Sequence, residues 1–128
     1  MYDIESLYSA TSVDDAIRAL SEDPESIVVA GGTDVLVKIR EGKFAGAHLV
    51  SIHELHDELD GVSLGEDGTV EIGPITWFHH VTTSKVIQDT VPVLGEACDT
   101  PGGPQLRVSG TIGGNVCNAA TSADSAST

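Results

Sequence analysis

Val28-Val29-Ala30-Gly31-Gly32-Thr33-Asp34 is the stretch that decides the fold, because an apolar segment ends there abruptly in two glycines. Ser26 to Ala30 is β-branched and uninterrupted, which predicts a short, fully buried strand. A helix is predicted from Val35 to Arg40, where Gly42 ends it, and another strand from Ala47 to Ile52. The sequence therefore predicts a strand-turn-helix-strand unit near the amino terminus.

The turn in this unit has the residue types of an anion-binding loop. Glycines let backbone N–H groups approach an anion without a Cβ in the way, and the start of a helix adds partial positive charge. Thr33 offers a hydroxyl donor, and Asp34 can cap the helix or bind a sugar hydroxyl. A tight turn that needs glycine only for its geometry is the alternative. The stretch matches neither a Walker motif nor the G-x-G-x-x-G of a dinucleotide fold.

The remaining sequence predicts further helices and one hairpin. Thr11 or Ser12 is expected to cap a helix that runs from Val13 to Leu20, and Thr76 a helix that runs through Val81. Additional elements are predicted as a hairpin of 62–64 with 70–72 and as helical segments at 84–87 and 92–98.

The segment from Pro101 to Thr128 is rich in glycine and small polar residues, a composition typical of a low-complexity linker. It nevertheless contains Thr111-Ile112-Gly113-Gly114-Asn115, with Asp124 downstream. Two glycines between a threonine and an asparagine predict a loop dense in hydrogen-bond donors and suited to a diphosphate. A flexible glycine linker is the alternative. Two such loops in one short chain favour a dinucleotide pyrophosphate bound between them.

Composition and charge exclude several classes of protein. The chain of 128 residues carries 6 basic and 20 acidic side chains, for a net charge of −14, which disfavours nucleic-acid and anionic-membrane partners. Its apolar stretches are too short to cross a bilayer, and its acidic N-terminus does not resemble a signal peptide. Two cysteines are too few for a disulfide framework, so we expect a reduced, cytoplasmic protein.

Histidines and cysteines do not have the spacing of a metal site. His53 and His56 are one residue too close for H-E-x-x-H, and His79 and His80 are adjacent. Cys98 and Cys117 show no C-x-x-C pattern. We therefore expect no metal site in this chain.

The two glycine loops together resemble a known family. Val28 to Asp34, Thr111 to Asn115 and the run from Val116 through Ala126 are similar to the FAD-binding subunit of molybdenum hydroxylases, xanthine dehydrogenase type. The resemblance covers essentially the whole chain. It implies an α+β fold, namely an FAD-binding domain of the vanillyl-alcohol-oxidase (PCMH) type with two small α/β subdomains at 1–54 and 55–128. Family members continue further, so we expect a fragment whose second subdomain is truncated.

The resemblance also implies which residues bind FAD. The first loop would contact the pyrophosphate through backbone N–H groups, the second would face it, and Asp124 would meet the ribose or adenine end. The implied cofactor-binding residues are Val28, Val29, Ala30, Gly31, Gly32, Thr33, Asp34, Val35, Gly110, Thr111, Gly113, Gly114, Asn115 and Asp124.

The resemblance implies an oxidoreductase subunit that passes electrons from an iron–sulfur (2Fe-2S) subunit through FAD to NAD. A molybdopterin subunit would oxidise the substrate, and the xanthine dehydrogenase branch favours a purine. The alternative is a truncated, non-catalytic dinucleotide-binding or assembly module. In either case we expect this chain alone to be inactive in turnover.

Overall fold

The computed structural model describes residues 1–126 and 128 of the chain. These residues form two compact units, Met1–Glu58 and Leu59–Thr128. The sequence-based division into FAD-binding subdomains at 1–54 and 55–128 stays a prediction.

The first unit is built on a three-stranded, fully parallel sheet with the strand order β1-β3-β2. Strand β2 pairs with β3 from Ile27 opposite Leu49 to Val29 opposite Ser51. The predicted strand-turn-helix-strand unit is therefore confirmed as β2-α2-β3. The elements in chain order are β1 (Ile4–Ser9), α1 (Val13–Glu22), β2 (Ile27–Val29), α2 (Val35–Arg40), β3 (Ala47–Ser51) and α3 (His56–Leu59), whose last residue already belongs to the second unit.

Helix α2 packs on this sheet through an apolar stripe. Ile39 of α2 is buried in one cluster with residues of both neighbouring strands, namely Val29, Ala47 and Leu49. The partly buried side chains that pack against this cluster are Ile27, Val35 and Leu36. Burying an aliphatic side chain contributes about 1.5–3 kcal/mol. Because residues of β2 and of α2 lie in the same cluster, this packing fixes the turn that joins the two elements.

Helix α1 begins with a side-chain cap. Ser12 Oγ accepts a hydrogen bond from the Asp15 N–H at 3.0 Å, so Ser12 and not Thr11 is the N-cap. The Asp15 carboxylate accepts in turn from the Thr11 N–H at 3.0 Å and from Arg18 at 2.7 Å. These bonds lower the pKa of Asp15 to about 2, because they favour the ionised carboxylate.

Two strands of the first unit differ from the sequence predictions. Strand β2 is shorter than Ser26–Ala30 and is not fully buried, because it lies at the sheet edge and leaves Val28 42% exposed. Strand β1 was not predicted at all. All six of its residues are exposed, so its sequence lacks the apolar alternation that indicates a half-buried strand.

The second unit combines one hairpin with five helices among its described residues. The predicted hairpin is confirmed, and Gly68 in its turn has a φ of +85°, which glycine adopts without strain. The elements are β4 (Val62–Leu64), β5 (Val70–Ile72), α4 (Phe78–Thr83), α5 (Lys85–Thr90), α6 (Pro92–Cys98), α7 (Pro104–Arg107) and α8 (Ile112–Cys117).

The core of the second unit lies among α4, α5 and α6. Phe78, Val81, Ile87 and Cys98 are buried together. Burial, with a smaller contribution from the negative charge of Asp124, raises the pKa of the Cys98 thiol to about 11. Cys98 is therefore a neutral core residue near neutral pH.

Thr76 does not cap α4, contrary to the sequence prediction. The helix begins at Phe78, and its N-cap, Trp77, makes no side-chain capping bond. Thr76 is fully buried, and its Oγ1 accepts from the Gly61 N–H at 2.9 Å and donates to the Gly61 carbonyl at 3.1 Å. A buried hydroxyl needs such partners, which explains why Thr76 turns inward.

The glycine-rich C-terminal segment is not a linker. It contains α7 and α8, which composition alone did not indicate. None of the helices in the described part of the chain is long and apolar enough to span a membrane.

Candidate functional site

The first candidate loop, Ala30 to Asp34, connects the carboxyl end of β2 to α2. Gly32 has a φ of +72°, a conformation that residues with a Cβ rarely adopt. A Cβ added there would also lie 3.2 Å from Leu36 Cδ1. Glycine is therefore required at this position by the turn itself, whatever the loop binds.

The loop also presents unpaired backbone donors. Its carbonyls are used, since Gly32 O accepts from the Leu36 N–H and Asp34 O from the Lys38 N–H, each at 3.0 Å. The N–H groups of Gly31, Gly32, Thr33 and Asp34, by contrast, donate to no acceptor in residues 1–126 and 128. Consecutive free N–H groups in a glycine turn are the groups that bind phosphate oxygens, so this loop fits a pyrophosphate.

Side chains around this loop offer fewer possible contacts to a ligand than the sequence suggested. Asp34 stands at the N-cap position of α2 but makes no side-chain capping bond. Val29 is buried, and Val35 packs against the same core cluster. Val28 is exposed on the edge strand. Contacts from Val29 and Val35 to a ligand would therefore have to come from the backbone.

The second candidate loop, Gly110 to Asn115, is fixed to the segment that precedes α4. The Phe78 N–H donates to Gly110 O at 3.0 Å, and the Ile112 N–H donates to Thr76 O at 3.0 Å. These two bonds flank the antiparallel bridge between Trp77 and Thr111. The loop is thus held by a short stretch of sheet-like pairing within the second unit.

Two glycines in this loop, Gly113 and Gly110, allow its backbone to lie close to Pro74 and Phe78. The Gly113 N–H donates to Pro74 O at 2.8 Å, and a Cβ at Gly113 would overlap that oxygen and lie 2.8 Å from Pro74 Cβ. Gly110 is buried, and a Cβ there would lie 3.1 Å from Phe78 Cε2. Both glycines are explained by packing inside the protein.

The expected set of free donors is not found in this second loop. Thr111 is the N-cap of α8, and its Oγ1 accepts from the Gly114 N–H at 3.1 Å. The Asn115 N–H donates to Thr111 O at 3.0 Å. With the Ile112 and Gly113 N–H groups also bonded inside the protein, this loop cannot bind a diphosphate in the way the first loop can.

Asn115 connects this loop to the last described turn. Its Oδ1 accepts from the Ser125 Oγ at 2.6 Å and from the Ser125 N–H at 3.1 Å. Ser125 is buried, whereas its neighbour Asp124 is exposed and lies 3.5 Å from the Thr100 hydroxyl. The second unit thus brings Asp124 into one connected group with Gly110 to Asn115.

Sequence reasoning missed the residues that hold this second group in place. The carbonyls of Pro74 and Thr76 accept hydrogen bonds from the N–H groups of Gly113 and Ile112, respectively. The hydroxyl of Ser125 donates to the side chain of Asn115. No motif marks Pro74, and Ser125 lies in the run that carries the family resemblance but has no role assigned to it there. The Gly-Pro pair at 73–74 is typical of a turn, which gives no sign of the contact with Gly113.

No histidine or cysteine side chain makes any of the hydrogen bonds described above for the two loops. His80 Nδ1 lies 3.4 Å from Asp60, and the His53 and His56 rings meet edge to face with centroids 5.8 Å apart. Within the described ranges, no three His, Cys, Asp or Glu side chains are grouped so that they could hold a metal ion. Cys117 is exposed at the end of α8.

Comparisons with known proteins agree with this arrangement. The chain is 42% identical over 126 residues to the xanthine dehydrogenase FAD-binding subunit of Escherichia coli O157:H7, which covers 98% of this chain and 43% of that protein. It is 30% identical to the glyceraldehyde dehydrogenase medium chain of Sulfolobus acidocaldarius, covering 90% and 40% respectively. Among solved structures, reconstituted CO dehydrogenase from Oligotropha carboxidovorans matches with a TM-score of 0.87 at 26% identity, over 94% of this chain and 42% of that one.

The chain therefore spans less than half the length of these relatives. Its mixed α/β fold is that of the amino-terminal, FAD-binding portion of such medium chains. The model of the FAD-binding domain in molybdopterin dehydrogenase matches residues 2–128. The chain belongs to this family of FAD-binding domains of molybdopterin dehydrogenases.

Proposed function

We propose that this chain is the FAD-binding part of an electron-transfer subunit in a xanthine dehydrogenase-like molybdenum hydroxylase. The observation that carries the proposal is the first loop, in which four consecutive backbone N–H groups lack acceptors in the described chain. Identity of 42% to a xanthine dehydrogenase FAD-binding subunit, against 30% to a glyceraldehyde dehydrogenase chain, favours the xanthine branch and a purine substrate.

The two candidate loops have different tasks in this proposal. Residues Val28 to Val35 bind the FAD pyrophosphate, with the donors of Gly31 to Asp34 directed at its oxygens. Gly110, Thr111, Gly113, Gly114, Asn115 and Asp124 form the second part of the cofactor site. Since Gly113, Gly114 and Asn115 use their N–H groups internally, this second part acts by its shape and through Asp124.

Bound FAD supplies two-electron redox chemistry, which connects a one-electron iron–sulfur carrier to the hydride acceptor NAD. The partners in the proposal are a 2Fe-2S subunit, which delivers electrons, and a molybdopterin subunit, which oxidises the substrate. The chain itself provides binding and orientation. No charged side chain of the described protein is bonded to the donors of the first loop, so recognition there depends on backbone dipoles.

The proposal is tested by calorimetric titration of the purified chain with FAD and with ADP. Gly32→Val is expected to abolish binding of both ligands, because the side chain fills the turn that presents the donors. Gly42→Val is the matched control. Gly42 also has a positive φ, +78°, but it lies past the end of α2, with nothing within 4 Å of an added Cβ.

Gly32→Val and Gly42→Val therefore carry a similar backbone strain, but only Gly32→Val alters the first loop. Urea unfolding of each variant measures how much stability the strain costs. Saturable binding of both ligands to the unmodified chain and to Gly42→Val, with loss in Gly32→Val, is the expected result. Equal binding by Gly32→Val, or no binding by the unmodified chain, would contradict the assignment of this loop.

A further inference from the structure

The geometry around Asn115 points to an inference that rests on the proposed function: Asn115 affects ligand binding as a positioning residue, because its side-chain oxygen fixes the turn that carries Asp124. The family resemblance puts Asn115 among the cofactor-binding residues. Its observed contacts give it a different task, because its side-chain oxygen is already used twice within the protein.

The orientation of the Asn115 amide is fixed by its partner. The Ser125 backbone N–H can only donate, so the atom 3.1 Å from it must be the carbonyl oxygen Oδ1 and not the amide nitrogen. The Ser125 hydroxyl donates to the same oxygen at 2.6 Å. One Asn115 oxygen therefore ties both the backbone and the side chain of Ser125 to α8.

The two residues that flank Asp124 are both held in place by burial and hydrogen bonds. Ala123 and Ser125 are buried at 7% exposure each, whereas Asp124 between them is exposed. The Ala123 N–H also donates to Ala120 O at 3.0 Å. An exposed carboxylate between two buried residues has a restricted backbone and is presented outward, where it accepts from the Thr100 hydroxyl at 3.5 Å and can equally accept from a ribose hydroxyl.

Without the Asn115 oxygen, two donors of a buried serine would lose their acceptor. Unpaired buried donors are costly, so the turn would open to let them reach water. Asp124 would then sample many positions, and its contribution to ligand affinity would fall. Asn115 therefore influences binding through Ser125 and Asp124.

The first test needs no ligand. Amide hydrogen exchange of Ser125 is measured in the free chain, in Asn115→Ala, in Asn115→Asp and in Val116→Ala. Val116 is exposed on the same helix and serves as the control. We expect exchange to be faster in Asn115→Ala by about tenfold, the value of one hydrogen bond. Asn115→Asp keeps an acceptor oxygen in the same position and is expected to restore protection. An unprotected Ser125 amide in the unmodified chain, or no change in Asn115→Ala, would overturn the inference.

The second test separates positioning from direct contact. ADP affinity is expected to fall about tenfold in Asn115→Ala. Asn115→Asp is expected to recover most of that loss, although it adds a negative charge. If Asn115→Asp binds ADP as weakly as Asn115→Ala while its Ser125 amide stays protected, the amide itself contacts the ligand and the inference is wrong.

The two tests also distinguish this inference from the proposed function. Failure of every form of the chain to bind ADP or FAD would contradict the cofactor site. The exchange experiment would still decide whether Asn115 holds the turn. Protection lost in Asn115→Ala supports the positioning role of Asn115, and protection unchanged rejects it.

Discussion

The two cysteines differ in burial, and this difference predicts their reactivity. Cys98 is fully buried with a pKa raised to about 11, whereas Cys117 is exposed. Because the thiolate is the reactive form, we expect a disulfide reagent at pH 8 to label one thiol per native chain and two per unfolded chain. Cys117→Ser should abolish the native reaction. Equal labelling rates for both thiols in the native chain would contradict the burial of Cys98.

The raised pKa of Cys98 also predicts a loss of stability in alkali. In the unfolded chain this thiol ionises near its ordinary value of 9.0, and in the folded chain only near 11. The unfolded state therefore binds fewer protons in this interval, so the free energy of unfolding falls as pH rises from about 9 to about 11. Urea midpoints across this range should decline more steeply for the unmodified chain than for Cys98→Ala. Parallel declines would show that another group is responsible.

Helix α1 offers a prediction at the scale of one element. Ser12→Ala removes the acceptor for the Asp15 N–H and is expected to destabilise the chain by about 1 kcal/mol. Ser21→Ala in the same helix is the matched control, since its hydroxyl bonds only to the Ile17 carbonyl, a contact that adds little to a helix. Urea unfolding of both variants measures the difference, and equal midpoints would mean that Ser12 is not the effective cap.

The contact between Gly113 and Pro74 predicts a larger effect in the second unit. Gly113→Ala drives a Cβ into the Pro74 carbonyl and should cost about 1–3 kcal/mol of stability. Gly103→Ala is the control: its φ of −104° suits alanine, and the nearest atom to an added Cβ is the flexible end of Gln105. We expect this control to change the urea midpoint little. A Gly113→Ala variant as stable as the control would show that the loop can move away from Pro74.

These elements also show what the sequence could predict. The β2-α2-β3 unit and the β4-β5 hairpin were predictable, because their apolar period and their glycines are local signals. Helix α8 was not, because its stability depends on pairing with residues 74–77, far away in the chain. The glycines of both loops were found from the sequence. Which of their N–H groups stay unpaired depends on tertiary contacts such as that of Gly113 with Pro74.

At the scale of the whole molecule, the net charge of −14 opposes an anionic ligand. Two unit charges about 10 Å apart in water repel by about 0.4 kcal/mol, or about twofold in Kd. Salt screens the repulsion between charges at such distances, since the Debye length at 0.1 M is about 10 Å. Backbone N–H contacts act at short range and are screened much less.

ADP binding should therefore tighten by about twofold or more as KCl is raised from about 0.05 to 0.5 M, because about two Debye lengths then separate the same charges in place of less than one. This is the opposite of the salt dependence that a basic phosphate site shows. Calorimetry at the two salt concentrations measures the change, and adenosine, which lacks phosphate, provides the uncharged control. Binding of ADP that weakens with salt while adenosine is unaffected would mean that a basic side chain, and not the backbone of the first loop, holds the phosphates.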